Sequence, residues 1–571
     1  MPRADPVRVR PDAGLRHGRM PDRMDGVQTA DLPVYGGHLP HRLFRHLCHL
    51  CRAGHLSDVL HLPDVPGAGH VPDVRAGHLP DLRGSGHLPD LSGDVPHLRD
   101  PVRHLQSPRL HLRGGMLTGD AFARAGGPPR HRDDRTWQIE MPPALARRAR
   151  EVATEVARRA TDPELILEAS ARAAHQTRYP FTVHWQPLSV AQGDAGLALL
   201  AGQMDACFPG AGWDVVAHDF LTTAARDAEE GAAGASIFGG LAGLGLAAES
   251  LSRDGTRYQR LLAAVDRAVV DETVVAARRV RDSPGGMPVS AFDAISGLSG
   301  TGAYLLRRAA DPVCRAGLTE ALHAMVALAG PGEPPRWWTP AHLMADDSLA
   351  QRYPDGNLNC GLAHGIPGPL ALLSLAMLAD VTVPGQRGAV RRLAGWLVRQ
   401  QGADSWGINW PTVVPVAAAA AWSPEPLGRA AWCYGSPGVA RALWLAGRAL
   451  DDAALRAVAV DAMQAVHARP MEWRDIDSPT FCHGIAGLLQ ITLRFAADTD
   501  QESFTGAAAA LTERLLAHFD PDRLLGYCCI EPDGRLVDQP GLLDGAPGVA
   551  LTLLAAGTQT VPAWDRLFLL A

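Results

Sequence analysis

Hydrophobic positions take on helical spacing only from about residue 137 onward. Across 142–173, Leu145, Ala149, Val152, Val156 and Ala160 recur at that spacing with arginines between them, which predicts one amphipathic surface helix. After it a second pattern runs to the end of the chain: Gly-x-x-Gly followed by an Ala/Leu-rich run. It occurs at Gly193/Gly196, Gly240/Gly243, Gly297/Gly300, Gly365/Gly368, Gly435/Gly438, Gly484/Gly487 and Gly545/Gly548, at intervals of 47 to 70 residues. Such intervals hold two helices each, and further amphipathic runs at 390–400 and 453–468 lie between copies. The unit is a helical hairpin. Seven hairpins closing into a ring need no capping repeats and gather their Gly-rich helix starts at one end. Glycines at i and i+3 let a helix tip approach a neighbour closely and tolerate a positive φ in the entry turn.

Residues 1–135 break this picture. They hold 14 of the 23 histidines and repeat a His-x-Pro-Asp unit, as in His61-Leu62-Pro63-Asp64 and His78-Leu79-Pro80-Asp81. Proline at that density forbids both helix and central strand, so the segment reads as a disordered tail or an extension from a misplaced start codon, with Met116 or Met141 as alternatives. Cys48-His49-Leu50-Cys51 is half a zinc site without a partner pair. The globular domain is 136–571.

Composition agrees with an all-α fold. Hydrophobic residues make up 46% and aromatics only 6%, and a net charge of −7 gives no global reason to bind nucleic acid. Nine dispersed cysteines without a signal-like amino end exclude a secreted disulfide framework and point to the cytoplasm. The longest apolar stretch, 413–422, is short of a membrane span and carries Pro415.

Candidate chemistry sits just before the glycine pairs, where a ring would bring side chains face to face. Copy three offers Asp293, copy four His364, copy five Cys433-Tyr434, copy six Cys482-His483 and copy seven Asp544. Cys433, Cys482 and His483 form a set of two thiolates and one imidazole, suited to one Zn²⁺ with three protein ligands and an open position; helix amino termini favour the thiolates. A fourth ligand from Cys360, Cys528 or Cys529 would make the site purely structural.

Asn359-Cys360-Gly361-Leu362-Ala363-His364-Gly365, Trp432-Cys433-Tyr434-Gly435 and Cys482-His483-Gly484 closely resemble the three signature motifs of the LanC-like lanthionine synthetases. Tyr353-Pro354-Asp355-Gly356-Asn357 and Gly541-Leu542-Leu543-Asp544-Gly545 are similar to that family too, and the resemblance covers about 180 to 560. It implies an (α/α)₇ toroid with zinc at one end. It also implies lanthipeptide cyclase activity: a cysteine thiolate of a dehydrated precursor peptide adds to dehydroalanine or dehydrobutyrine, giving a (methyl)lanthionine thioether. The substrate cysteine would occupy the open zinc position. On the same resemblance His364 is a general acid or base and Asp293 orients it or assists proton transfer. Arg429 and Tyr434 stabilise enolate charge, or serve as a surface arginine and a packed tyrosine.

A separate dehydratase is the implied partner, since 1–135 cannot fold into one, and a peripheral membrane complex is compatible with the chain. Competing readings are a LanC-like protein acting on another thiol such as glutathione, a non-catalytic zinc-stabilised peptide scaffold, and an α/α-barrel glycosidase using Asp293 and Asp544. The last leaves the Cys/Cys/His set unexplained. Trp337-Trp338, between copies three and four, either lines a peptide groove or, more in keeping with a tryptophan pair, plugs the gap beside a hairpin.

Overall fold

Each glycine pair begins a helix with little exposed surface. In the computed structural model, which describes residues 137–571 apart from 232, 254, 417–426 and 477, these inner helices are Asp194–Cys207, Leu241–Ser250, Leu298–Arg307, Pro367–Leu378, Ser436–Leu450, Ile485–Thr499 and Ala546–Gly557. The Pro/His-rich segment 1–135 and most of the apolar stretch 413–422 lie outside the described residues. Every residue of Ala546–Gly557 is buried, as are Pro367 to Ala376, because these helices are covered on all sides and need no polar face. Each inner helix contacts the next, and the seventh contacts the first, so the ring closes.

The outer helices are amphipathic. Gln259–Asp282 buries Leu262, Val265, Val269, Thr273, Ala277 and Val280 on one stripe and turns most of its charges outward; Asp266 is buried with the stripe and pairs with Arg308, Nη2 to Oδ2 at 2.8 Å. The runs foreseen at 390–400 and 453–468 are the outer helices Gln386–Arg399 and Ala453–Ala468. Several outer helices start on an aspartate cap; Asp452 Oδ1, for example, accepts from Ala454 N and Leu455 N at 3.0 and 3.2 Å.

The single helix expected over 142–173 is two, Pro143–Ala160 and Pro163–Gln176. Pro163 cannot donate into the preceding turn, and Asp162 Oδ1 caps the new start by accepting from Glu164 N at 2.9 Å and Leu165 N at 3.4 Å. The first of the two packs on Ala546–Gly557. Trp137 Nε1 donates to Ala555 O at 2.8 Å, and Arg150 Nη1 to Gly557 O at 2.6 Å. The seventh hairpin thus takes its outer helix from the start of the domain.

After Gly557 the chain enters a short 3₁₀ turn, Ala563–Phe568, inside the ring. The Phe568 ring stacks on Phe481 at 3.8 Å and meets Trp432 edge-on at 4.9 Å, and Trp432 Nε1 donates to Phe568 O at 3.0 Å. The connections around the fourth repeat pair with each other: strand Asn357–Asn359 lies antiparallel to Val413–Pro415, with Leu358 opposite Val414. Trp337 is buried edge-on to Trp396, 5.6 Å between ring centres, so it fills the hairpin gap; Trp338 is half-buried over Gly286 and Gly356.

Candidate functional site

The tips of the inner helices are tied together by the backbone. Ala294 N donates to Ala363 O at 3.0 Å, Ala363 N to Cys433 O at 3.2 Å, and Cys433 N to Cys482 O at 3.2 Å. Cys482 N continues to Leu543 O at 3.1 Å, Leu543 N to Ala191 O at 3.1 Å, and Ala191 N to Phe238 O at 3.2 Å. This ladder links all seven tips in ring order, and it explains the glycines. A Cβ on the second glycine of a pair would strike the carbonyl of its own entry turn, as at Gly438 with Trp432 O and Gly487 with Phe481 O. The same Cβ would press on the preceding tip, Leu362 in the first case and Trp432 in the second. Close approach to a neighbour is therefore as foreseen, whereas positive φ is needed at only one of the paired glycines, Gly435 at 89°.

The ladder brings the chemistry to one rim. His364 Nδ1 lies 2.7 Å from Asp293 Oδ2, with both side chains buried. Asp293 Oδ1 accepts from Ser296 N and Gly297 N, each at 2.8 Å, so the entry turn of the third inner helix fixes the carboxylate. An ionised carboxylate only accepts, so Nδ1 is the donor in this bond. Tyr434 is fully buried with its ring 6.4 Å from the imidazole, and its hydroxyl accepts from Asn359 Nδ2 at 2.9 Å. Arg429 is largely buried and pairs with Asp475, Nη2 to Oδ2 at 3.4 Å.

Further round the rim, ligand atoms of Cys482, His483 and Asp544 all lie within 4.8 Å of one another. His483 Nδ1 faces Asp544 Oδ1 at 3.6 Å. Of the three expected ligands, Cys482 and His483 converge, while the Cys433 sulfur falls outside that group although its backbone is bonded to Cys482. Burial pushes the Cys360 thiol far up, and burial together with the charge of Asp544 does the same to Cys529. A thiolate, an imidazole and a carboxylate on one rim, with Cys433 on the adjoining tip, form a donor set that fits Zn²⁺. From the sequence, Asn359 and Asp475 have no role and Asp544 only that of a carboxylate in the glycosidase reading. Asp544's place at the seventh tip, equivalent to His483's at the sixth, was the available signal.

A family model described as lanthionine synthetase C-like protein matches residues 184–569. The nisin biosynthesis protein NisC of Lactococcus lactis subsp. lactis is 24% identical over 283 residues, which span 46% of this chain and 62% of that protein. Among solved structures, a nisin cyclase has the same fold, with a TM-score of 0.58 at 19% identity over 71% of this chain and 96% of its own. The chain belongs to the lanthionine synthetase C-like family.

Proposed function

We propose that this protein is a zinc-dependent lanthipeptide cyclase that joins a cysteine thiol of a dehydrated precursor peptide to dehydroalanine or dehydrobutyrine. The observation that carries this reading is the meeting, on one rim, of a metal-capable thiol and imidazole pair with a carboxylate-oriented histidine. Cys433, Cys482 and His483 would hold the ion, and Asp544 would orient His483 as the partner carboxylate common beside metal-binding histidines. Zn²⁺ in that set supplies Lewis acidity that keeps a thiol deprotonated near neutral pH.

The chain's own residues supply the proton chemistry. The thiol loses one proton, its sulfur forms a bond to the β-carbon, and the electron pair of the double bond moves toward the carbonyl. The α-carbon then gains one proton, so atoms and charge balance. His364, held through Nδ1 by Asp293, takes the first proton and returns one at the α-carbon. Tyr434, whose hydroxyl accepts from Asn359 Nδ2, would stabilise charge on the enolate oxygen. Arg429, paired with Asp475, would add to the stabilisation of the enolate charge. A separate dehydratase supplies the substrate. Among the described residues no helix is long and apolar enough to cross a membrane.

The test is zinc content together with thioether formation on a dehydrated peptide, for wild type, Cys482→Ala and His364→Ala. One zinc in wild type, lost in Cys482→Ala and retained in an inactive His364→Ala, is the expected result. Cyclisation that survives loss of zinc rules the reading out.

A further inference from the structure

A cavity of about 500 Å³ opens between the second and third inner-helix tips, roofed by the outer helix Gln259–Asp282. Its volume falls within the ~300–1,000 Å³ of ligand clefts. It shares a wall with the catalytic rim. Ser296 and Gly297, which line it, are the two residues whose backbone N–H groups hold Asp293 Oδ1, and Asp293 in turn holds His364. In ring order the metal-capable set lies on tips five to seven, the imidazole on tip four, its carboxylate on tip three, and the cavity beyond it.

The lining is neutral and rich in hydroxyls. Ser236, Ser290, Ser296 and Thr301 stand among small apolar residues, and Glu272 and Arg279 offset each other's charge. Thr273 lines the cavity and is 1% exposed, yet its hydroxyl has no hydrogen-bond partner among the described residues. A buried hydroxyl left unpaired is costly unless a ligand completes it. One charge of each sign, both on exposed side chains, gives no preference for an ionic ligand.

Building on the cyclase reading, we propose that this cavity is a specificity subsite. It takes an uncharged, hydrogen-bonding stretch of the peptide next to the dehydro residue, by a main-chain amide or a Ser, Thr or Asn side chain that reaches Thr273. A substrate whose thiol lies by Cys482 and His483 then spans the rim with its acceptor side anchored beyond Asp293. The subsite sets which dehydro residue is presented to His364.

The probe is a fluorescent linear peptide with one cysteine, one dehydroalanine and a Ser or Thr flanking the latter. Thr273→Val and the cavity-filling Ala276→Phe are compared with wild type and Thr273→Ser, by direct binding and by cyclisation kinetics. Both Val and Phe variants are expected to weaken peptide binding and raise KM about tenfold, the scale of one lost hydrogen bond, with kcat and zinc content unchanged. Thr273→Ser keeps wild-type values. Thr273→Val should not lower Tm, since it deletes an unpaired group, and this separates a binding role from a folding one. Unchanged peptide affinity in a folded Ala276→Phe overturns the assignment. A wild type that binds the peptide through this cavity without forming a thioether sinks the cyclase reading alone, because the binding comparison stands without turnover.

Discussion

His364 Nδ1 and Asp293 Oδ2 meet at 2.7 Å in a buried pair, while the other oxygen of the same carboxylate holds the turn at Ser296 and Gly297. On the cyclase reading Asp293 is a positioning residue with a second, structural duty, and two substitutions separate the roles. Asp293→Asn keeps an acceptor for the turn but presents an amide N–H₂ to His364, which moves the imidazole proton to Nε2 and removes the base. We expect kcat to fall by about 10²–10⁴ with zinc content and peptide KM retained. Asp293→Ala also strands two backbone N–H groups and should lose about 1–3 kcal/mol of stability, read as a lower denaturant midpoint. Equal kcat in Asp293→Asn and wild type would exclude the orienting role.

The metal set can be tested without turnover. Cys433→Ala, Cys482→Ala and His483→Ala are each expected to abolish stoichiometric zinc. Asp544→Asn should weaken zinc affinity about 10–100-fold yet reach full occupancy at excess metal, as second-rank partners of metal-bound histidines do. Competition against a chromogenic chelator measures this. Zinc kept by Cys433→Ala and lost by Asp544→Asn would make the carboxylate a ligand, in line with the group that converges around His483.

The repeat was legible in the sequence because its cause is local: at six of the seven pairs the second glycine packs so closely on its own entry-turn carbonyl that a side chain would collide, and only Gly368 leaves more room, with Leu362 O at 3.3 Å from a Cβ. Cys482-His483 was legible for a similar reason, as two metal-capable groups adjacent on one entry turn. Asp293 and His364 are 71 residues apart, and only ring closure brings them together. Closure itself was not fully legible. Helical periodicity at 142–173 marks a buried face without naming the partner, which proves to be the last inner helix. The break in that helix, by contrast, was written in Asp162-Pro163, a cap and a helix start in succession. The 3₁₀ plug at 563–568 is too short for a periodic signal.

Glycines in this fold divide by what a methyl group would meet. At Gly435 the backbone sits at φ 89° and a Cβ would collide with Arg429 O, whereas at Gly506, exposed within the outer helix Glu502–Ala517, it meets nothing within 4 Å. Gly435→Ala should fail to accumulate as folded protein or lose more than about 3 kcal/mol, because strain and overpacking add. Gly506→Ala should gain about 0.5–1 kcal/mol from helix propensity. Guanidinium chloride midpoints decide both, and a neutral Gly435→Ala would contradict the packing described for the tips.

Asp194, at the start of the first inner helix, has its carboxyl pushed up to about 6, chiefly by burial and next by the charge of Asp227. A raised folded-state value means the folded protein holds the proton more tightly. The associated stability is present below the ordinary carboxylate range and is lost as pH rises through about 6. Asp194→Asn removes that loss. The variant should match wild type in Tm at low pH and exceed it at about pH 8, and a constant difference across the range would show that the group does not titrate as described.

The plug inside the ring rests on Asp565, whose side chain is fully buried. Arg494 grips it with two bonds of 2.6 Å, Nε to Oδ2 and Nη2 to Oδ1, and Gln490 Nε2 donates to Oδ2 at 2.7 Å. Removing one member of such a pair strands the other's charge, so Asp565→Ala should lose about 3–5 kcal/mol. Arg494→Ala should lose a similar amount for the opposite reason, a buried carboxylate without its cation. The double variant is the informative one. With both charges gone, the second substitution should cost far less than it does alone, because most of each single loss is desolvation left uncompensated. Additive losses in that cycle would mean that Asp565 and Arg494 hold the tail through separate contacts, and that the plug is kept in the ring by Phe568, Trp432 and Phe481 instead.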